Sequence, residues 1–169
     1  LAVELNAAPI VKKMTKAARH ANVGPMAAIA GAVAEFLGRD LLKKRYKEVI
    51  IENGGDIFLV TRKIRKIGIY AGKSKLCNKL YLKIKPQDTP LGICTSSGTI
   101  GHSLSFGLAD AVTILSKNAS LADAVATATA NRVRSKQDLE EAVGFAKSIK
   151  GISGGIIIIK NNLIGWGKV

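Results

Sequence analysis

Gly92-Ile-Cys-Thr-Ser-Ser-Gly-Thr-Ile-Gly-His-Ser-Leu-Ser-Phe-Gly107 is followed, after an apolar run, by Ala119-Ser-Leu-Ala-Asp-Ala-Val-Ala-Thr-Ala-Thr-Ala-Asn131. The first part reads as a loop crowded with glycine and hydroxyls around His102. The apolar run, Val112-Thr-Ile-Leu115, is β-branched and reads as a strand. The second part is rich in alanine and reads as a helix. On that helix Asp123 and Thr127 stand four residues apart, hence on one face. Facing the loop, they would hold a cation against a phosphorylated ligand.

Outward from this unit, turn residues and periodicity divide the chain. Pro9 suits a first helical turn, and Ile10, Met14, Ala17 and Ala21 follow at helical spacing. Val23-Gly24-Pro25 breaks that helix. Met26 to Leu37, small and apolar, predicts a buried helix, with Asp40 to Lys47 as a short helix or turn leading to the surface. Val49 to Ile51, Ile57 to Val60, Ile64 to Tyr70 and Leu80 to Lys85 read as strands, the last alternating with Leu80, Leu82 and Ile84 on one face. Beyond Asn131, Ser135 or Asp138 opens a helix with Leu139, Ala142, Val143, Ala146 and Ile149 inward and Gly151 as its stop. Gly154 to Ile159 and Leu163 to Trp166 are strands about a turn at Asn161-Asn162. Helices, strands, a helix pair and more strands predict one α+β domain over 1–169, its sheet mixed or mostly antiparallel. The chain opens on Leu1 rather than methionine, so an upstream segment is expected.

Composition narrows the function. A hydrophobic content of 47% places the chain among globular proteins. The longest aliphatic run, Ile156 to Ile159, is far short of the roughly 20 apolar residues of a membrane span, so no membrane partner is expected. Cys77 and Cys94 form no Cys-x-x-Cys pair, which argues against a disulfide framework or zinc site and for a cytoplasmic setting. The 26 basic against 12 acidic residues give a formal charge of +14, a field that attracts polyanions or phosphorylated small molecules. Aromatic content is only 5% and no RNA-binding signature is present. Nucleic acid is therefore the weaker partner class.

The chemistry-bearing residues fall into three groups. Glu52-Asn53-Gly54-Gly55-Asp56 follows a strand, and its paired glycines permit either a plain hairpin turn or close approach to a ligand. Thr95-Ser96-Ser97-Gly98, with Thr99 to Ser103, combines backbone N–H groups and hydroxyls suited to an anion, without the Lys-Ser/Thr that closes a P-loop. His102 titrates near neutrality and is the candidate general base. Cys94 ends an apolar strand and reads as a small buried hydrophobe. Asp123 and Thr127 offer oxygens to a hard cation such as Mg²⁺, with phosphate and water completing its shell. Ser120-Leu-Ala-Asp123 also matches a helix capping box.

Glu52-Asn-Gly-Gly-Asp-Ile57, Thr95-Ser-Ser-Gly98 and Ala122-Asp-Ala-Val-Ala-Thr127 occur in an order and spacing that resembles the ApbE-type flavin transferases. Val23-Gly-Pro-Met-Ala27, Gly92-Ile-Cys-Thr-Ser-Ser97, Gly101-His-Ser-Leu-Ser-Phe-Gly107 and Gly165-Trp-Gly167 make the chain look closer still to their uncharacterised ApbE-like relatives. The resemblance implies an ApbE-like fold and binding of FAD or FMN with Mg²⁺. In the transferases FMN passes from FAD to a threonine of an acceptor protein, releasing AMP. By motif, Asp123 and Thr127 match the metal-binding Asp-x-x-x-Thr, and Ala27 the alanine whose carbonyl completes that site. Gly54, Gly55 and Asp56, with Thr95, Ser96, Ser97 and Gly98, match segments lining the flavin nucleotide. His102 falls near the histidine that deprotonates the acceptor.

Two departures fall in the substrate site. Ala28-Ile29 stands where transferases carry Lys-Gly, and His102-Ser-Leu-Ser-Phe replaces His-Ile-Ile-Asp-Pro. No acceptor sequence is evident in the chain, so it is not expected to modify itself. The leading expectation is Mg²⁺-dependent binding of a flavin nucleotide or related pyrophosphate, with FMN transfer or hydrolysis as the reaction. The alternative is a non-catalytic module that binds a phosphorylated metabolite. The sequence leaves a homo-oligomer open.

Overall fold

The computed structural model describes residues 6–99 and 106–169. Helix α1 (Pro9–Ala21) ends on Asn22 in the left-handed conformation, and a 3-10 turn (Pro25–Ala28) leads into α2 (Ile29–Lys43). Strands β1 (Val49–Asn53), β2 (Asp56–Val60), β3 (Arg65–Gly68), β4 (Tyr81–Ile84) and β5 (Leu91–Ser96) follow. Then come β6 (Ala111–Ser116), α3 (Ala119–Ala130), α4 (Leu139–Ser148), β7 (Ile152–Ile159) and β8 (Asn162–Gly167). One sheet of six strands runs in the order β1-β2-β5-β6-β7-β8, and β3 pairs only with β4. Every pairing is antiparallel. The α+β expectation is met, with the sheet wholly antiparallel.

Alternation along the strands splits the core in two. Phe58, Cys94, Val112, Ile114 and Ile157 face the helices. Their neighbours Leu59, Ile93, Ala111, Leu115 and Ile158 face the β3–β4 ribbon, where Leu82, Ile84 and Ile69 cover them. The large sheet is thus the middle layer, helices below and ribbon above.

Helix α3 is the centre of the lower layer. Its side chains are buried all round except at Thr127, the mark of a core helix. Small residues let it sit unusually close to its neighbours. A Cβ on Gly92 of β5 would lie 2.4 Å from Ala119 Cα, and one on Gly31 of α2 would lie 2.5 Å from the Ala119 carbonyl oxygen. Glu35 of α2, fully buried, accepts the Ala119 N–H at 2.9 Å. Its charge is met by Lys13 at 2.6 Å and Arg39 at 2.7 Å. Burial raises the Glu35 pKa, but these cations outweigh it and hold the carboxyl below its ordinary value.

Four expectations change. The N-cap of α3 is Asn118, whose side chain accepts the Leu121 N–H at 3.1 Å. Ser120 is buried with no partner for its hydroxyl, so the capping box does not form and Asp123 is free to point elsewhere. Helix α2 runs on to Lys43 rather than giving way to a separate element at Asp40, and it is not buried all round. Ile29, Val33 and Leu37, with Met26 before them, form an exposed stripe. The segment from Thr95 is strand before it is loop, because Thr95 pairs with Thr113 across β5 and β6, their hydroxyls 2.9 Å apart. Among the described residues no single helix is long and apolar enough to cross a membrane.

Candidate functional site

A cavity of about 560 Å³ opens where β2 begins and β5 ends. At this corner side chains from both faces of the sheet meet. Ile57, Ile93, Thr95 and Thr113 come from the ribbon side, and Ile67, Gly68, Ile69, Tyr70 and Leu82 supply the opposing wall. Asp123 and Thr127 rise from α3 on the helix side.

The β1–β2 hairpin delivers the first carboxylate. Gly54 and Gly55 take φ values of +63° and +98°, a conformation glycine adopts without steric cost. Glu52 Oε1 accepts the Gly55 N–H at 2.8 Å and holds the turn. Asp56 follows as the first residue of β2, paired in register with Cys94. By alternation it shares the helix-side face with Phe58, so its carboxyl turns toward α3.

Asp123 provides the second. Its Oδ2 accepts the Gly31 N–H at 2.9 Å, at the start of α2, where the helix dipole favours negative charge. Both carboxyls are nearly sealed from solvent, Asp56 at 6% and Asp123 at 8% exposure. Burial pushes Asp56 up to about 8, with the facing Asp123 charge as the second cause, while the Cys94 thiol and the Thr95 N–H pull the other way. Burial pushes Asp123 to about 7 against the N–H bonds from Gly31 and Ala30. Asp56 Oδ1 is buried without a hydrogen-bond partner. Two like charges in a desolvated site either share protons or face a cation.

That donor set fits a hard divalent ion. Two carboxyls and the Thr127 hydroxyl are oxygen donors, and one carboxylate oxygen is unpaired. Among the described residues no three His, Cys, Asp or Glu side chains cluster to hold a metal. A donor set made only of oxygens, two carboxyls and a hydroxyl, leaves positions for phosphate and water, which suits Mg²⁺ better than zinc.

The structure brings Gly54, Gly55, Asp56, Thr95, Ser96, Ser97, Asp123 and Thr127 together around the cavity. Two named residues do not line it. Gly98 donates its N–H to the Ala109 carbonyl at 2.8 Å, and Ala27 lies in the 3-10 turn ahead of α2. His102 lies outside the described residues. Cys94 is fully buried, its thiol donating to the Ala119 carbonyl at 3.3 Å. Burial raises the thiol pKa well above its ordinary value, which disfavours the thiolate, and the residue packs as a small buried hydrophobe. Sequence reasoning missed Thr113 and the β3–β4 wall. Thr113 was legible only as one β-branched residue among others, and the wall depends on a contact between segments far apart in the chain.

A bacterial ApbE-type family model, described as AbpE bacteria, matches residues 1–150. The chain belongs to this family. It is 44% identical over 159 residues to a UPF0280 protein of Methanobrevibacter smithii, covering 92% of this chain and 67% of that one. A UPF0280 protein of Methanosarcina acetivorans is 42% identical over 165 residues, with 97% and 65% covered. The chain thus spans about two thirds of the length of these relatives. Among solved structures, the ApbE protein of Thermotoga maritima superposes with a TM-score of 0.65 at 15% identity, covering 94% of this chain and 62% of that one. The flavin transferase ApbE of Vibrio cholerae gives 0.60 at 18% identity, with 86% and 50% covered. These structures share the fold.

Proposed function

We propose that the cavity binds a flavin nucleotide, or a related pyrophosphate, together with a divalent cation. The observation that carries this reading is the facing pair Asp56 and Asp123 beside Thr127, set at the end of β5, where Thr95, Ser96 and the following Ser97 line the same space. Hydroxyls and strand-end N–H groups suit phosphate oxygens. The carboxyls alone would repel phosphate, so a cation between them reconciles the two halves of the site. The aliphatic wall of Ile67, Ile69, Leu82 and Ile93, with Tyr70 at its lip, suits the flat face of a ring system.

As a transferase, the protein would pass FMN from FAD to a threonine of an acceptor and release AMP. Asp56, Asp123 and Thr127 would hold Mg²⁺, which when bound polarises the pyrophosphate. Asp123 and the Gly31 N–H would fix that ion relative to α2, and Thr95 and Ser97 would orient the phosphates. His102, near the cavity in sequence, is the candidate base for the acceptor hydroxyl.

Calorimetric titration with FAD and Mg²⁺ tests the binding. Asp123→Ala should abolish Mg²⁺-dependent affinity while leaving far-UV circular dichroism intact, and undiminished affinity overturns the metal assignment. Incubation of the native protein with FAD, Mg²⁺ and acceptor proteins tests the reaction. AMP release marks a transferase or hydrolase, and tight binding without turnover marks a carrier or sensor.

A further inference from the structure

We infer that the outward face of the β3–β4 ribbon is a docking surface for an extended, acidic polypeptide segment, laid beside the cavity mouth. Between Ile57 and Gln87 the chain carries nine lysines and arginines and no acidic residue. This stretch therefore holds most of the protein's net charge of +14. Among the described residues, Arg65 alone of the nine has a carboxylate within 4 Å, that of Glu48 at 3.4 Å.

The ribbon turns this charge outward. Register places Lys66 opposite Lys83 and Gly68 opposite Tyr81. Ile67, Leu82 and Ile84 point into the core, so Lys66, Tyr81, Lys83 and Lys85 stand exposed on the other face. Gly68 and Tyr70 belong to that face and also line the cavity, so the basic surface runs into the cavity's lip.

Charge complementarity selects an acidic partner, and two features favour polypeptide over nucleic acid. A surface for single strands offers bare aromatic rings on which bases stack. Here the Lys66 ammonium sits 4.5 Å from the centre of the Tyr81 ring and occupies that face. The ribbon also has only two strands, which leaves an unladdered row of N–H and C=O groups along each outer edge. An extended peptide satisfies such an edge by strand addition, and a nucleic acid does not. Docking needs neither metal nor nucleotide, so it stands apart from the reading of the cavity. Where both hold, the docked segment reaches the cavity mouth, as an acceptor must.

Fluorescence anisotropy tests this with the purified protein and a labelled peptide of alternating glutamate and threonine. An oligothymidylate of matched charge serves as the competing probe. The triple variant Lys66→Glu, Lys83→Glu, Lys85→Glu should weaken peptide binding by roughly tenfold or more. A control with the same change in net charge, Lys16→Glu, Lys44→Glu, Lys47→Glu, should change it by less than about twofold. Lys66→Gln, Lys83→Gln, Lys85→Gln provides the same comparison without charge reversal if the first triple folds poorly. Equal losses in ribbon and control variants overturn the proposal, because only diffuse charge is then at work. Tighter binding of the oligonucleotide overturns it in favour of nucleic acid, and absence of peptide binding overturns it outright. Asp123→Ala should retain peptide affinity, which separates failure of the docking surface from failure of the nucleotide site.

Discussion

Two walls of opposite construction face each other across the cavity. The lower wall, made of the start of β2, β5, α3 and the start of α2, is close-packed, and its carboxyls, Asp56 and Asp123, point inward. The upper wall, the β3–β4 ribbon, covers the sheet with a few aliphatic side chains and directs lysines at solvent. On the lower wall backbones touch, at Gly92 and at Gly31 against Ala119, and the Asp123 side chain packs on Gly31 as well. On the upper wall the outward space at Gly68 is open, with nothing within 4 Å of a Cβ added there. A site that must hold a small ion needs positions fixed to fractions of an ångström. A surface that receives a polypeptide needs charge and exposed backbone instead. The contrast gives the cavity a rigid, acidic floor and an accessible, basic rim.

The largest effect should come from forcing the floor apart. Gly92→Val would place a branched side chain where Ala119 Cα already lies 2.4 Å from the first added carbon. Neither partner is a flexible side-chain tip, so α3 must move. The expected cost is about 3 kcal/mol. For a domain of this size that lowers Tm by roughly 6 to 12 °C. A shift below about 2 °C by scanning calorimetry would show a compliant floor and end the comparison.

Next is Glu35→Ala, which leaves the Ala119 N–H without its acceptor and Lys13 and Arg39 without their shared partner. An orphaned buried donor costs about 2 kcal/mol. The pH dependence has a definite sign. Glu35 is held below its ordinary pKa, so its contribution is present above the unfolded-state pKa and is lost as pH falls through the folded-state value. The variant should therefore show a flatter acid limb in urea titrations than the parent. An equally steep limb would mean that the cations, not the carboxylate, hold the helices together.

How much of this was visible in the sequence depends on range. The Asp123–Thr127 spacing, the glycine pair at 54 and 55 and the strand alternation at Leu82 and Ile84 are local patterns, and each led to its correct place in the fold. Asn118 as the cap of α3 was hidden by Ser120, which offers the commoner signature two residues later. Glu35 carried no signal at all, because its acceptor role reaches 84 residues along the chain to Ala119. The pairing of Asp56 with Asp123 was hidden for the same reason. Each carboxylate sits in its own motif, and only packing of β2 over α3 makes them one site. The ribbon's charges were plain in composition, but register alone shows that they share a face.

The facing carboxyls give the third test. Burial pushes the Asp56 and Asp123 carboxyls well above the ordinary carboxylate range in the folded protein, up to about 8 and about 7. The folded state then binds more protons than the unfolded one between about pH 4 and 8, so their contribution to stability is greatest in acid and falls as pH rises. Without divalent cation, Asp56→Asn should flatten that decline, measured as Tm at pH 5 and pH 8. Mg²⁺ should raise the parent Tm more at pH 8 than at pH 5, since deprotonated carboxyls bind it better. A parent protein whose stability climbs across this range for reasons traceable to these residues would show the pair to be solvated or already compensated.

The smallest effect should be on the opposite wall. Gly68→Ala puts a methyl group into open space on the outward face of β3. Its φ lies outside the left-handed region, so alanine meets no backbone strain, and replacing glycine in a strand removes conformational freedom mainly from the unfolded chain. The expected change is within about 0.5 kcal/mol in either direction. Gly92, packed against α3 beneath the sheet, and Gly68, at the cavity's rim, are thus the same residue type in opposite surroundings, with predicted outcomes that differ severalfold. A Gly68→Ala loss approaching that of Gly92→Val would mean the ribbon's outward side is as tightly covered as the floor. A surface covered in that way would not be open to a docking polypeptide, whatever its charge.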